Sequence, residues 1–294
     1  MIDRESTLAD PQIVEMLKTQ FVPVAFDQWY QRRQKDVEGR LYQRIALQEH
    51  KNLNNTTQGF YIATAAGQLI AYDNHRGPDR IRRLMKSALA KRVDLSAEAL
   101  DLQELDKRMV HEVPDGAVVV QVNSKVLGGY GRPRDKHNAI VQRAIGRDNF
   151  WILASELATL KTGQLPESLA RRMCQFHLND NTRGEPKLWS ADELVKCDLK
   201  LKDGIVSGQV QLQTSDKSLS YDCFVYGRIE WNDNQLSRFD LVARGDHVGQ
   251  GPWTWGAPSG QFPLAVAFRL ASPEDIAYSV RPQAIKGFGW DYLK

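Results

Sequence analysis

Cysteine is scarce in this chain: three occur in 294 residues, at Cys174, Cys197 and Cys223, and none lies in the first half. Three widely spaced thiols cannot build a disulfide framework, and an odd number leaves at least one unpaired, so a reducing, cytoplasmic location is expected. Long apolar runs are also missing. The strongest, Ala117–Val122 and Phe262–Phe268, fall far short of the ~20 residues that cross a bilayer, so no membrane partner is expected. The opening Met-Ile-Asp-Arg-Glu-Ser carries early charges where a secretory signal would carry an apolar run. A dominant charge is lacking too: 39 Lys and Arg stand against 36 Asp and Glu, a net +3, which argues against nucleic acid as a partner. No internal repeat or low-complexity tract stands out.

What is present is the profile of folded domains. Hydrophobic residues make up 42% and charged residues 26%, enough to bury a core, and the length suits more than one domain. Charge is uneven along the chain. Residues 1–95 hold 15 Lys and Arg against 11 Asp and Glu, leaving 24 against 25 beyond. Much of that excess lies in Asp79–Arg92, where Ile81, Leu84, Met85 and Ala88 recur at helical spacing among basic residues. This reads as an amphipathic helix with a solvated basic face.

Upstream of that helix, Asp10-Pro11 starts a helix with Ile13, Val14 and Leu17 inward, and Phe21–Phe26 reads as a strand. Trp29–Gln48 reads as a helix. Gly59–Thr64 and Gln68–Tyr72 read as two strands joined by a tight turn at Ala65–Gly67. With Glu5, Ser6, Asp10, Pro11 and Ile13, then Phe21, Val22, Val24 and Asp27, and later Gly67, Gln68 and Leu69, this third of the chain resembles the thioredoxin-like family. The family's W-C-x-x-C would fall at or before Met1, and no cysteine precedes Cys174, so the resemblance implies a scaffold without thiol exchange. Thr56-Thr57-Gln58-Gly59 stands where the family places a cis-proline, and Gln58 is carried forward as a candidate ligand contact.

Residues 96–195 read as a mainly helical connector. A helix runs from Ser96 through Val110, Ala117–Leu127 is a strand, and further helices follow at His137–Ile145, Phe150–Leu160 and Pro166–Leu178. Ser190 and Glu193 form a capping box. From Cys197 onward the pattern has period two, with strands at Asp198–Lys202, Ile205–Gln213, Leu219–Trp231, Leu236–Arg244 and Phe262–Leu270. On the longest strand Tyr221, Cys223, Val225, Ile229 and Trp231 share one face, and Asp222, Phe224, Tyr226, Arg228 and Glu230 take the other. The fold class is therefore α+β: a truncated thioredoxin-like domain at 1–95, a helical connector at 96–195, and an antiparallel β meander at 196–294 that makes an open barrel or curved sheet.

Several constellations invite chemistry. The glycine-rich loop Gly128–Lys136, with Arg132, Arg134 and Lys136, sits between a strand and a helix as phosphate-binding turns do, but it matches no phosphate-binding motif and Pro133 removes a donor. Cys174-x-x-His177 has half of a zinc site's spacing, and packing in a helix is the plainer reading, so no metal is assigned. Asp180–Pro186 contains Arg183 and Glu185, able to address a carboxylate or phosphate or to pair with each other. The richest segment is Gly245–Gly260, a long loop joining two strands that combines Asp246 and His247 with Trp253 and Trp255. Its tryptophans either fold back over the open end of the sheet or present an aromatic surface to a ligand. Ser259 lies in Gly-Ala-Pro-Ser-Gly, which is not the G-x-S-x-G of a nucleophile elbow.

These residues support a non-redox binding protein whose partner is a small molecule or another protein, with Arg183, Glu185, Trp253, Trp255 and Gln58 as ligand contacts and no cofactor specified. The alternative is a hydrolase-like or metal-assisted enzyme with a pocket around His247 and Asp246 between the helical and β regions, with His177 or Arg183 near it. A thiol redox protein using the three cysteines is a third reading.

Overall fold

The computed structural model describes residues 6–75, 77–91, 96, 106, 112–285, 292 and 293. They fall into two compact units, Asp3–His111 and Glu112–Lys294.

In the first unit, α1 (Pro11–Gln20) begins where expected, because the Asp10 carboxylate accepts the Gln12 and Ile13 amides at 3.1 Å each and Pro11 needs no amide partner. The expected strand at Phe21–Phe26 does not form, and Val22 is 90% exposed there. An extended segment becomes a strand only when a neighbour takes its amides and carbonyls. The sheet described in this unit is a hairpin alone. The expected helix at Trp29–Gln48 is instead α2 (Gln28–Gln31) and α3 (Val37–Ala46), since Asp36 caps a new helix by accepting the Gly39 amide at 3.0 Å. The hairpin pairs β1 (Phe60–Ala63) with β2 (Leu69–Asp73), and α4 (Pro78–Leu89) follows with Ile81, Met85 and Ala88 buried, as its spacing requires. Ile13 and Met16 of α1 pack with Ile81 and Met85 of α4 in one buried cluster of this unit, and Tyr30, Val37, Tyr42 and Ile45 are buried along α2 and α3. Arg92 and the helix expected from Ser96 to Val110, apart from Ser96 and Asp106, lie outside the described residues.

The second unit is built on a seven-stranded sheet, antiparallel throughout: β3 (Val118–Val126), β4 (Gly146–Ile152), β5 (Leu194–Lys202), β6 (Ile205–Gln213), β7 (Ser220–Asn232), β8 (Gln235–Val248) and β9 (Gln261–Leu270), in the order β4-β3-β9-β8-β7-β6-β5. Among the described residues three α-helices accompany it: α5 (Lys136–Arg143), α6 (Ala154–Lys161) and α7 (Glu167–His177). The chain is thus an α+β protein with a large antiparallel sheet. α7 packs against both edge strands, β4 and β5, so the sheet curls around that helix, and the alternate residues of the strands that face it form one continuous core.

Three expectations change here. Phe150–Leu160 is not one helix: Phe150, Trp151 and Ile152 belong to β4, paired with Val120, Val119 and Val118, and the helix begins only at Ala154. A short continuous apolar run carries no period to separate a buried strand from a buried helix. Residues 112–195 are not a connector separate from 196–294, because β3 and β4 extend the same sheet and α7 fills its concave side. β8 runs past Arg244 to Val248, which draws Asp246 and His247 out of the loop and into a strand. Among the described residues no helix is long and apolar enough to cross a membrane.

Candidate functional site

With β8 ending at Val248, the segment joining it to β9 is Gly249–Gly260, and it contains no charged residue. Trp253 and Trp255 do not fold back over the sheet; they are 64% and 69% exposed, whereas Thr254 between them is 1% exposed. Thr254 is the loop's anchor. Its amide donates to the Gly251 carbonyl at 3.1 Å, and its hydroxyl oxygen accepts the Gly251 amide at 2.7 Å. With the middle residue turned inward, both indoles are forced outward on either side of it.

The anchor is held from below by Arg183, whose Nε donates to the Thr254 carbonyl at 3.1 Å. Arg183 Nη1 donates to the Tyr130 hydroxyl at 2.7 Å and to Thr182 Oγ1 at 3.2 Å, and Nη2 pairs with Asp180 Oδ2. Asp180 Oδ1 in turn accepts the Thr182 amide at 3.1 Å and the Thr182 hydroxyl at 2.6 Å. Residues 179–183 are all buried, so a polar turn expected at the surface is a hydrogen-bonded layer inside the molecule. Four of the five Arg183 N–H groups are thus engaged and the side chain is buried, and no hydrogen bond or ion pair joins it to the exposed Glu185 among the described residues. Gly184 is required where it stands, since a Cβ there would lie 1.9 Å from the Trp253 carbonyl oxygen. The glycine-rich loop at 128–136 joins the same assembly through Tyr130 and through Gly129, whose missing side chain leaves room for Phe262 and Pro258.

Asp246 and His247, neighbours in sequence, are separated by the alternation of the strand. Asp246 is exposed, and His247 is buried on the inner face between Tyr221 and Phe262, with ring centroids 5.7 Å and 5.0 Å away. Burial pushes the His247 imidazole down to about 4; Asp180 opposes that shift and Arg183 adds to it. Its Nδ1 has no hydrogen-bond partner among the described residues. The cavity beside it, lined by Asn179, Asp180, Trp189, Leu219 and Gly251, is about 10 Å³, the scale of one water molecule. Ser259 is exposed, and no hydrogen bond joins it to His247 among the described residues.

No protein-family model, curated protein or solved structure matches this chain. The site must therefore be read from its own chemistry.

His177 lies in a second buried network on α7. Tyr292 Oη stands 2.8 Å from His177 Nε2, and Asp148 Oδ2 stands 3.1 Å from Nδ1. Burial holds the Tyr292 phenol well above its usual range, so it keeps its proton, and His177 bridges that hydroxyl and the Asp148 carboxylate through its two ring nitrogens. Asp148 Oδ1 also accepts the Gln283 amide at 2.7 Å, so the network fastens the carboxyl-terminal segment to the sheet. Cys174, three residues before His177, meets Cys197 and no metal-binding partners; among the described residues no three His, Cys, Asp or Glu side chains gather as a metal site would need. Gln58 belongs to the Asp3–His111 unit, where it is exposed and its carbonyl accepts the Tyr72 hydroxyl at 2.7 Å.

One surface escaped the sequence reading. On the outer face of β7, β8 and β9, Phe224 and Tyr226 are 67% and 65% exposed beside Val242, Gly227 and Ala267, along an open groove of about 700 Å³ rimmed by Asp240 and Arg244. The alternation had already placed Phe224 and Tyr226 opposite the buried face. The signal available was the presence of two aromatic rings where a solvated strand ordinarily carries polar side chains.

Proposed function

We propose that this chain is a binding protein that recognises an uncharged ligand, or an uncharged apolar stretch of a partner, through Trp253 and Trp255. The observation that carries this reading is the pair of exposed indoles flanking a buried, hydrogen-bonded Thr254 on a charge-free loop. Exposed tryptophans on a backbone anchored through Thr254 bring a large apolar area to a contact, which is why such residues dominate binding energies. The absence of charge in 249–260 favours neutral partners over phosphates or nucleic acids, and Gln250 and Ser259 supply neutral hydrogen-bonding groups at its edges. Arg183 serves this reading as a positioning residue rather than a ligand contact. The hydrolytic alternative finds less support, since Asp246 and His247 face opposite sides of the sheet and His247 opens only onto a water-sized cavity. Thioredoxin-like ancestry for residues 1–95 is part of the proposal, as a scaffold. It is supported by the order of α1, the β1–β2 hairpin and α4, and it has to accommodate the lack of a strand at Phe21–Phe26.

The test is a screen of the purified chain against arrays of neutral oligosaccharides and of proline-rich peptides, followed by titration of any binder by tryptophan fluorescence. Trp253→Ala and Trp255→Ala are each expected to weaken binding by about tenfold or more, with unchanged melting temperature. Phe224→Ala with Tyr226→Ala on the sheet face is expected to leave the affinity intact. Binding that survives loss of both tryptophans, or no binder on either array, overturns the proposal.

A further inference from the structure

Cys174 on α7 and Cys197 on β5 are 23 residues apart in sequence, yet their Sγ atoms lie 3.7 Å from each other. Cys174 is buried, and Cys197 is an exposed residue on the edge strand, so the pair joins the interior to the sheet edge. The remaining thiol is not a competitor for the outer one. Cys197 is in register with Val210, and Val210 with Cys223, which puts Cys223 two strands away, roughly 10 Å at the usual strand spacing and beyond the reach of a disulfide. The two sulfurs also differ in readiness to ionise. Contact with Cys174 holds the Cys197 thiol below its ordinary range, with Arg171 helping and burial, Asp198 and Glu167 opposing. The Cys174 thiol is held well above that range by the same contact and by burial. Cys223 is pushed up to about 12, chiefly by burial.

We propose that Cys197 and Cys174 are a peroxide-responsive thiol pair, Cys197 being oxidised first and Cys174 resolving it to a disulfide that staples α7 to the edge strand β5. In the first step the Cys197 thiolate attacks a hydroperoxide oxygen, breaking the O–O bond and giving a sulfenic acid and a hydroxide or alkoxide, which takes up a proton as water or alcohol respectively. In the second, Cys174 sulfur attacks the Cys197 sulfur, the S–O bond breaks, and the hydroxyl leaves with the Cys174 proton as water. Two thiols are oxidised by two electrons, and one peroxide is reduced. The sulfurs must close from 3.7 Å to about 2.05 Å, a movement that Cys197, an exposed residue on the edge strand, can supply. This inference is independent of the tryptophan loop, since α7 and β5 do not contribute to it.

The test treats the reduced full chain with hydrogen peroxide, blocks the remaining thiols with iodoacetamide, and reads intact and peptide masses. The expected product takes up one iodoacetamide, at Cys223, where the reduced chain takes up three, shows a Cys174–Cys197 linked peptide lighter by the ~2 Da of two hydrogens than its two parts, melts at a higher temperature, and reverts with dithiothreitol. In Cys174→Ser, Cys197 is expected to stop at a sulfenic acid captured by dimedone, and in Cys197→Ser, Cys174 is expected to stay reduced. A bridge to Cys223, overoxidation of Cys197 with Cys174 left free, or all three thiols still alkylated after treatment would each overturn the assignment. The wild-type chain carries the decisive measurement, so a variant that fails to fold does not remove the test.

Discussion

A histidine buried between two aromatic rings with one ring nitrogen unpartnered is tolerable only while it is neutral. The His247 imidazole has an ordinary value of 6.5 and is held at about 4 in the folded chain. Its contribution to stability is therefore fully present above pH 6.5, is lost as pH falls through that window, and is level below about 4, where both folded and unfolded states are protonated. The difference corresponds to about 3 kcal/mol between the two plateaus. His247→Leu, which keeps an apolar body between Tyr221 and Phe262, is expected to remove that slope. Urea unfolding of both proteins at pH 7, 5.5 and 4 reads it directly: the wild type should lose about 3 kcal/mol more than the variant across the series, and parallel losses would contradict the assignment. The residue types at 246 and 247 were legible from the sequence as an acid beside a base. Their failure to cooperate followed from a strand that runs four residues further than its alternation of apolar side chains suggested.

At the scale of elements, the loop that presents Trp253 and Trp255 depends on a turn 71 residues upstream of Thr254. Removing the Arg183 guanidinium leaves Asp180 as an unpaired buried charge and the Thr254 carbonyl without its donor. Arg183→Met is accordingly expected to cost about 3–5 kcal/mol, and the emission of the loop tryptophans should shift as their anchor loosens. Pairing it with Asp180→Asn, which removes the stranded charge, should recover a large part of the stability but not the emission, because the Thr254 contact stays broken. Chemical denaturation and steady-state fluorescence separate the two effects. The elements themselves were unevenly legible. The meander from Ile205 to Leu270 and the helix α4 could be read because their apolar residues recur at two and at 3.6 positions. Phe150–Ile152 could not, since a short unbroken apolar run has no period. Nor could the burial of Asp180 and Arg183, which look like surface residues until Thr254 and Tyr130 are brought to them by the chain's distant parts. The meeting of Cys174 with Cys197 was hidden for the same reason, arising only because α7 lies across the edge of the sheet.

At the scale of the whole molecule, the two units carry cores of very different size. The Glu112–Lys294 unit buries a continuous set drawn from seven strands and α7, including Trp151, Tyr221, Phe150, Phe239, Phe262 and Phe268. Among the described residues the Asp3–His111 unit buries a cluster of Ile13, Met16, Ile81 and Met85 with a few half-buried neighbours, and Tyr30, Val37, Tyr42 and Ile45 along α2 and α3. Stability grows with apolar surface removed from water, so the smaller core sets the lower limit of heat resistance. Calorimetry of the full chain is expected to show two transitions, the first belonging to the Asp3–His111 unit. Met85 identifies it, because its side chain is 4% exposed and contacts the α1 residues that complete that core. Met85→Ala should cost that unit about 2–5 kcal/mol and move the first transition down while leaving the second in place. Trp151→Ala should do the reverse, since its ring lies in the other core. A single transition lowered alike by both substitutions would mean that the chain unfolds as one cooperative body, and the separation of cores would then have no thermodynamic counterpart.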